Sequence, residues 1–263
     1  MNIMYETSKA FENADNYQDR IVAFVDVMGI KNRMKQAATP KDLKMYATLL
    51  NGQANQPFAE GKLHITMFSD CMYIICEKQY LDHLVCQLAN MAYTMLMNRL
   101  PTIHINEEDG SHWSEIDWDC FKLRGGITYG KVFVVDQAAK DKGILLNTNI
   151  VLGQAPITAY ELESSKAIYP RIITDNSFIG LLNNLGKSPE EYFFTKDEKD
   201  SCFYLDFLDY MCQGKREGSV AFSLLNGCIE YIKKELDHAL LKNNAKLAGQ
   251  LLWYIRYLES HLC

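Results

Sequence analysis

The chain has 263 residues, 48% hydrophobic and 23% charged, the balance of a globular protein rather than of a disordered tail. A formal net charge of −6 excludes a protein that coats nucleic acid, which must neutralise many phosphates, but leaves room for a small anionic substrate held by a few local cations. No stretch approaches the roughly 20 apolar residues that cross a bilayer. The first residues carry no basic-then-apolar export signal, and the eight cysteines show no CxxC spacing, so the expectation is a reduced, cytoplasmic protein with no membrane contact.

Residues 1–19 read as a polar lead. The run IVAFVDV at 21–27 predicts a strand that ends in the turn Met28-Gly29. A short helix over 41–50 follows Thr39-Pro40, and then LHITMFSDCMYIICE gives two β-rich runs broken at Ser69-Asp70, a hairpin with an acid at its tip. Leu81, Leu84, Val85, Leu88, Met91, Met95 and Leu96 repeat at helical spacing between Tyr80 and Pro101. Residues 102–117 read as a polar, irregular surface insertion, and FKLRGGITYGKVFVVD as a second hairpin turning at Tyr129-Gly130. A helix over 154–165, the strand RIITD, a hairpin within 192–208 and a helical pair over 219–262, broken near Asn243-Asn244, complete the chain.

Strand, helix, strand, strand, helix, strand is the split βαβ order. It predicts an α+β fold in which an antiparallel sheet carries helices on one face. The expected organisation is a catalytic domain over 20–210 with a C-terminal helical extension over 211–263 packed on it.

Two acids stand out. Asp26 interrupts an apolar strand, where a carboxylate is costly unless it is paired or bound to a cation. Asp70 sits at the turn of the hairpin that the split βαβ order places beside that strand's end. Singly, each would be an ordinary cap or turn residue. Together they form a pair with no obligatory basic partner, the arrangement a hard divalent cation requires. The Met28–Gly29–Ile30 turn offers backbone N–H groups to an anion. Arg124, in an otherwise apolar strand before Gly125-Gly126, either grips phosphate bidentately or pairs with a nearby acid, and the local sequence leaves both open.

In this order the segments resemble the class III nucleotidyl cyclases. VAFVDVMGIK is similar to the family's first metal motif, and MFSDCMYII to its second, with Ser69 where the family usually carries Gly. LRGGITYGKVF resembles the strand whose Arg contacts substrate phosphate, and GQAPITAYELESS the helix ending Leu-Glu-Ser. The likeness covers residues 20–170. Ile157 and Glu161 stand where the family places Asn and Arg, and Thr66 where purine-selective members place Lys or Glu. The AYELES ending, Thr66 and the C-terminal helical extension resemble the bacterial pyrimidine cyclases of the Pycsar antiphage system.

That resemblance implies UTP or CTP as substrate, cyclic UMP or cyclic CMP as product, and a homodimer with shared sites. It also implies a separate effector protein that reads the product. It implies two divalent ions, Mg²⁺ or Mn²⁺, held by Asp26, the Val27 carbonyl and Asp70, with Arg124 and the turn amides of Met28, Gly29 and Ile30 on the departing pyrophosphate. Tyr46 is read as projecting toward the pyrimidine pocket, and Thr66 as lining it. The alternatives are a cyclic-dinucleotide synthase or polymerase-like transferase on the same scaffold, an inactive cyclase-like nucleotide sensor, and a structural protein. The last gives no account of two acids at paired strand ends.

Overall fold

The computed structural model describes residues 17–36, 44, 46–48, 50–52, 61–105, 112–141, 144–212 and 220–262. The central strand β1 (Tyr17–Met28) is apolar on both sides because both faces are covered. Ile21, Ala23, Val25 and Val27 join the main core, with Ile30 of α1 (Ile30–Gln36) and Leu84 and Leu88 of α2 (Leu81–Leu96). Val22 and Phe24 point the other way, into a second cluster with Ala155 and Ala159 of α3 (Gln154–Glu161).

Around β1 the sheet orders β2 (His64–Phe68), β3 (Cys71–Cys76), β1, β6 (Lys122–Asp141), β8 (Ile172–Thr174), β10 (Phe203–Leu205), β9 (Phe194–Lys196), with β7 (Ile144–Leu152) paired to β6. Pairing is antiparallel except for β6 with β8, which run parallel. The α+β class and the split βαβ core are therefore those expected from the sequence. α1 and α2 share one face as expected, but α3 lies on the opposite one.

Two glycines explain how α3 gets there. A Cβ on Gly126 would lie 2.4 Å from the Leu162 Cβ and 2.5 Å from the Ala159 carbonyl oxygen, so only glycine lets the helix rest on the strand. Gly153, at φ 135°, begins the helix where a Cβ would meet the Lys131 carbonyl oxygen at 2.5 Å. Replacing Gly126 by Ala is therefore expected to lift α3 off the sheet and to lower unfolding free energy by about 1–3 kcal/mol, the usual cost of overpacking. Urea unfolding of the purified variant measures this.

Three expectations are corrected. The chain does not turn at Tyr129-Gly130: β6 runs straight through, with Arg20 opposite Gly130, and its pairing with β7 extends to Asp141 opposite Ile144. Gly130 is a packing glycine, its Cβ position 3.6 Å from the Ala155 Cβ. The irregular insertion expected over 102–117 is instead strand at both ends, because β4 (Arg99–Ile105) and β5 (His112–Trp118) pair antiparallel as a separate two-stranded sheet; residues 106–111 lie outside the described ones. The first strand begins at Tyr17 rather than 21, taking in the end of the polar lead, whose residues 1–16 lie outside the described ones. Of the helix expected over 41–50, residues 44, 46–48 and 50 are helical and the others lie outside the described residues.

The C-terminal pair, α6 (Val220–Leu241) and α7 (Ala245–Glu259), breaks at Asn243, whose φ of 52° is left-handed, and at Asn244, whose side chain accepts the Leu247 N–H at 3.1 Å. Both helices belong to the same core cluster as the sheet. Trp253 stacks between Tyr169 and Tyr257 and donates to Asp197 at 2.8 Å, while Gln250 donates to the Ile168 carbonyl at 2.7 Å. α4 (Asn176–Asn184), capped by Asp175, and α5 (Phe207–Cys212) complete the shell around the core. All seven described cysteines are free thiols, and no described helix is long and apolar enough to cross a membrane.

Candidate metal and phosphate site

Asp26 sits two residues before the end of β1, with Cys71 opposite it on β3 and Arg124 opposite it on β6. The alternation that buries Val22 and Phe24 under α3 puts Asp26 on that same face. The β2–β3 turn places Asp70 beside it. Ser69 takes a left-handed φ of 57° to make the turn, a conformation that ordinarily favours glycine. The tip is tied down by the Val27 N–H, which donates to the Asp70 carbonyl at 3.1 Å.

Ligand atoms of Asp26, Asp70 and Cys71 consequently lie within 4.8 Å of one another. The Cys71 thiol donates to Asp26 Oδ1 at 3.3 Å and stands 3.9 Å from Asp70 Oδ1. Burial pushes the Asp26 carboxyl above its ordinary range and the Asp70 charge adds to this, while the Cys71 hydrogen bond and Arg124 oppose it without cancelling it. Burial and the neighbouring Asp26 also push the Cys71 thiol up, so it remains a protonated donor and is no general base.

Asp26 does have a cationic neighbour, contrary to the expectation of a pair without one. Arg124 Nη2 is 3.6 Å from Asp26 Oδ2, beyond a hydrogen bond. The guanidinium instead donates through Nε and Nη2 to Glu163, whose side chain is 4% exposed. Glu163 comes from the π-helical turn Leu162–Lys166 that continues α3. Burial raises its carboxyl above the ordinary value even with Arg124 beside it.

The other candidate residues are distributed as follows. Gly29, at φ 87°, makes the turn after Met28, and its carbonyl accepts the Arg33 N–H, while Ile30 is buried and opens α1. Thr66 lies on β2 opposite Tyr73, on the Asp26 face, and is hydrogen-bonded to His64 Nε2 at 3.0 Å. Tyr46 is not brought to this face. It packs edge-on against Phe121 and lines a cleft against the C-terminal helices. Ile157 and Glu161 are both exposed on α3.

Sequence reasoning missed four contributors. Cys71 and Glu163 complete the polar cluster. Lys31 and Lys35, one helical turn apart on α1, line a crevice of about 470 Å³ with Ser69 and Asp70. The signals were present: a Cys directly after an acid at a strand start, an acid on the inward side of the α3 turn, and an i, i+4 lysine pair just past the glycine turn.

The donor set fits a hard divalent cation. Two carboxylates converge, one is desolvated, and each carboxylate has about four lone-pair sites, so Asp26 retains acceptor capacity beyond its Cys71 bond.

No family model matches the chain, and no curated protein matches its sequence. Solved structures resemble it in architecture. The dimeric guanylyl cyclase domain of the RhoGC fusion protein from the aquatic fungus Blastocladiella emersonii aligns at TM-score 0.48 and 13% identity, over 72% of this chain and 94% of that one. The adenylyl cyclase CyaB from P. aeruginosa gives 0.41 and 14%, over 64% and 82%. A class III adenylyl cyclase-like ATP-binding protein from Pseudomonas aeruginosa gives 0.42 and 12%, over 83% and 44%.

Proposed function

We propose that this chain is a metal-dependent nucleotidyl cyclase that closes UTP or CTP into its 3′,5′-cyclic monophosphate with release of pyrophosphate. The observation that carries this reading is the convergence of Asp26, near the end of β1, and Asp70, in the neighbouring β2–β3 turn, with ligand atoms within 4.8 Å of one another. Two Mg²⁺ or Mn²⁺ ions held by Asp26, Asp70 and the Val27 carbonyl would supply the Lewis acidity for attack by the 3′-hydroxyl and for departure of pyrophosphate.

The chain's own residues do the rest. Asp26 and Asp70 repel one another across the gap, and this repulsion favours a cation over an empty site. Lys31 and Lys35 face the Asp70 crevice and offer two positive charges to the phosphate chain, joined by the amides of Met28, Gly29 and Ile30. Arg124 reaches phosphate by exchanging Glu163 for it, so Glu163 holds the guanidinium in position until substrate arrives. Thr66, a small hydroxyl in place of a long charged side chain, suits a pyrimidine.

An apolar strip flanks the site. Phe68, Ile157 and Tyr160 are 51%, 59% and 50% exposed, and Phe24 contacts both Phe68 and Tyr160. A second copy of the chain covering this strip would form the expected homodimer and supply the ribose-orienting groups that Ile157 and Glu161 do not. The product would act in the bacterial cytoplasm as an antiphage second messenger read by a separate effector protein.

The test is incubation of the purified protein with all four nucleoside triphosphates and Mn²⁺, followed by mass spectrometry. Cyclic UMP or cyclic CMP is the expected product. A cyclic dinucleotide or an extended chain would replace this reading with a transferase. Nucleotide binding without any product would replace it with a sensor, a role that the Arg124–Glu163 pair also suits.

A further inference from the structure

A second opening lies on the far side of the turn that follows Asp26. It is a cleft of about 1060 Å³ between α1, Tyr46 and the C-terminal helices; Met28 and Gly29 of that turn border it, and its lining includes none of Asp26, Asp70 and Arg124. The volume is at the upper end for small-ligand pockets, and the seam between a domain and a packed helical pair is a common place for one.

The floor is a satisfied ionic network. Arg33 pairs with Asp119, donates to the Cys120 carbonyl and the Tyr231 hydroxyl at 3.3 Å each, and lies 4.2 Å over the Phe121 ring. Lys122 pairs with Glu235. These contacts fix the floor and leave it neutral. The rim differs: Lys35 on α1, Lys242 at the end of α6 and Lys246 in the first turn of α7 are exposed and make no ion pair among the described residues. Among the described residues the cleft thus gathers five cationic side chains against the two acids Asp119 and Glu235, in a chain whose formal net charge is −6. Exposed lysines on a helix are ordinarily just solvated. Here three from separate elements converge on one cavity, and their fields add where a low-dielectric wall focuses them.

We propose that this cleft is a second binding site, taking a ligand with a phosphate chain, held by Lys35, Lys242 and Lys246 over the Arg33–Asp119 floor. Such a ligand ties α1, which starts at the turn after Asp26, to α7. Lys35 lines both openings, so occupancy of one bears on the other. The phosphate chain can belong to a nucleotide or to free polyphosphate, and the experiment separates them.

Calorimetric titration of the full-length Asp70→Asn protein in EDTA, with tripolyphosphate and then with UTP, removes metal-dependent binding at the paired acids. One equivalent of tripolyphosphate is expected to bind. Its affinity is expected to fall roughly tenfold or more on adding Lys242→Glu and Lys246→Glu together, and to survive Lys242→Arg with Lys246→Arg. Circular dichroism and the melting temperature of both variants are expected to match the parent, since these side chains are exposed. Tighter binding of UTP than of tripolyphosphate assigns a nucleotide, and equal binding assigns the phosphate chain alone. No binding of either ligand, or binding unaffected by the two charge reversals, overturns the site. Because none of these outcomes depends on cyclase chemistry, the proposed activity stands or falls separately.

Discussion

Asp70→Asn is expected to reduce cyclic nucleotide formation by on the order of 10³-fold or more while leaving the fold intact. Asn keeps the shape of the side chain and removes its charge. The Val27 N–H bonds the Asp70 backbone carbonyl, so the turn retains its tie to β1. Asp26, relieved of a like charge beside it, becomes easier to ionise, and the melting temperature should not fall. A second readout separates loss of chemistry from loss of the ion. Mn²⁺ should raise the melting temperature of the unsubstituted protein, as any ligand specific to the native state does, and should no longer do so in Asp70→Asn. Asp26→Asn should behave alike in activity, with a neutral amide oxygen replacing the charged acceptor of the Cys71 thiol. Rates within tenfold of the parent in both variants would remove the paired acids from the chemistry.

These acids were legible in the sequence because each breaks a local rule. Asp26 puts a charge in a run that otherwise has no reason to be polar, and Asp70 puts one between two β-rich segments. The split βαβ order then brings the two positions together, and register does so in the structure, with Asp26 facing Cys71 next to the turn. Glu163 was not legible in the same way. Its partner Arg124 is 39 residues away, and only the resting of α3 on Gly126 joins them. Gly130 was misread for a physical reason too. A glycine in a β-rich run commonly marks a turn, and nothing local distinguishes that from one kept small because a helix Ala passes at 3.6 Å. The alternation Thr102-Ile103-His104-Ile105 was there to be read, but the polar residues beside it outweighed it, and β4 and β5 pair with each other apart from the main sheet. Tyr46 sits on a helical segment packed against Phe121, and helical periodicity alone does not tell which end of a domain a side chain serves.

Arg124→Met should be the most destabilising single change near the site. It keeps most of the side-chain volume and removes the cation between Asp26 and Glu163, leaving a nearly buried acid facing a partly buried one. Removing one partner of a fully buried pair costs about 3–5 kcal/mol. Arg124 is 21% exposed and Asp26 20%, so roughly 2–3 kcal/mol is expected here once solvent screening is allowed for. The pH dependence fixes the cause. The carboxyls of Asp26 and Glu163 already lie above their ordinary values of 3.8 and 4.5 in the native protein. Their favourable share of stability is therefore complete below those values and is lost as pH rises through the higher native ones. Without Arg124 both native values rise further, so the deficit of the variant should be largest at neutral and alkaline pH and should shrink on acidification. Glu163→Gln in the Arg124→Met background should recover much of the loss at neutral pH, because only one acid then remains. Urea unfolding of the parent, both single variants and the double variant, at acid and neutral pH, gives the coupling directly. A deficit that does not change with pH would mean that Arg124 stabilises by its packing, with no electrostatic hold on the two acids.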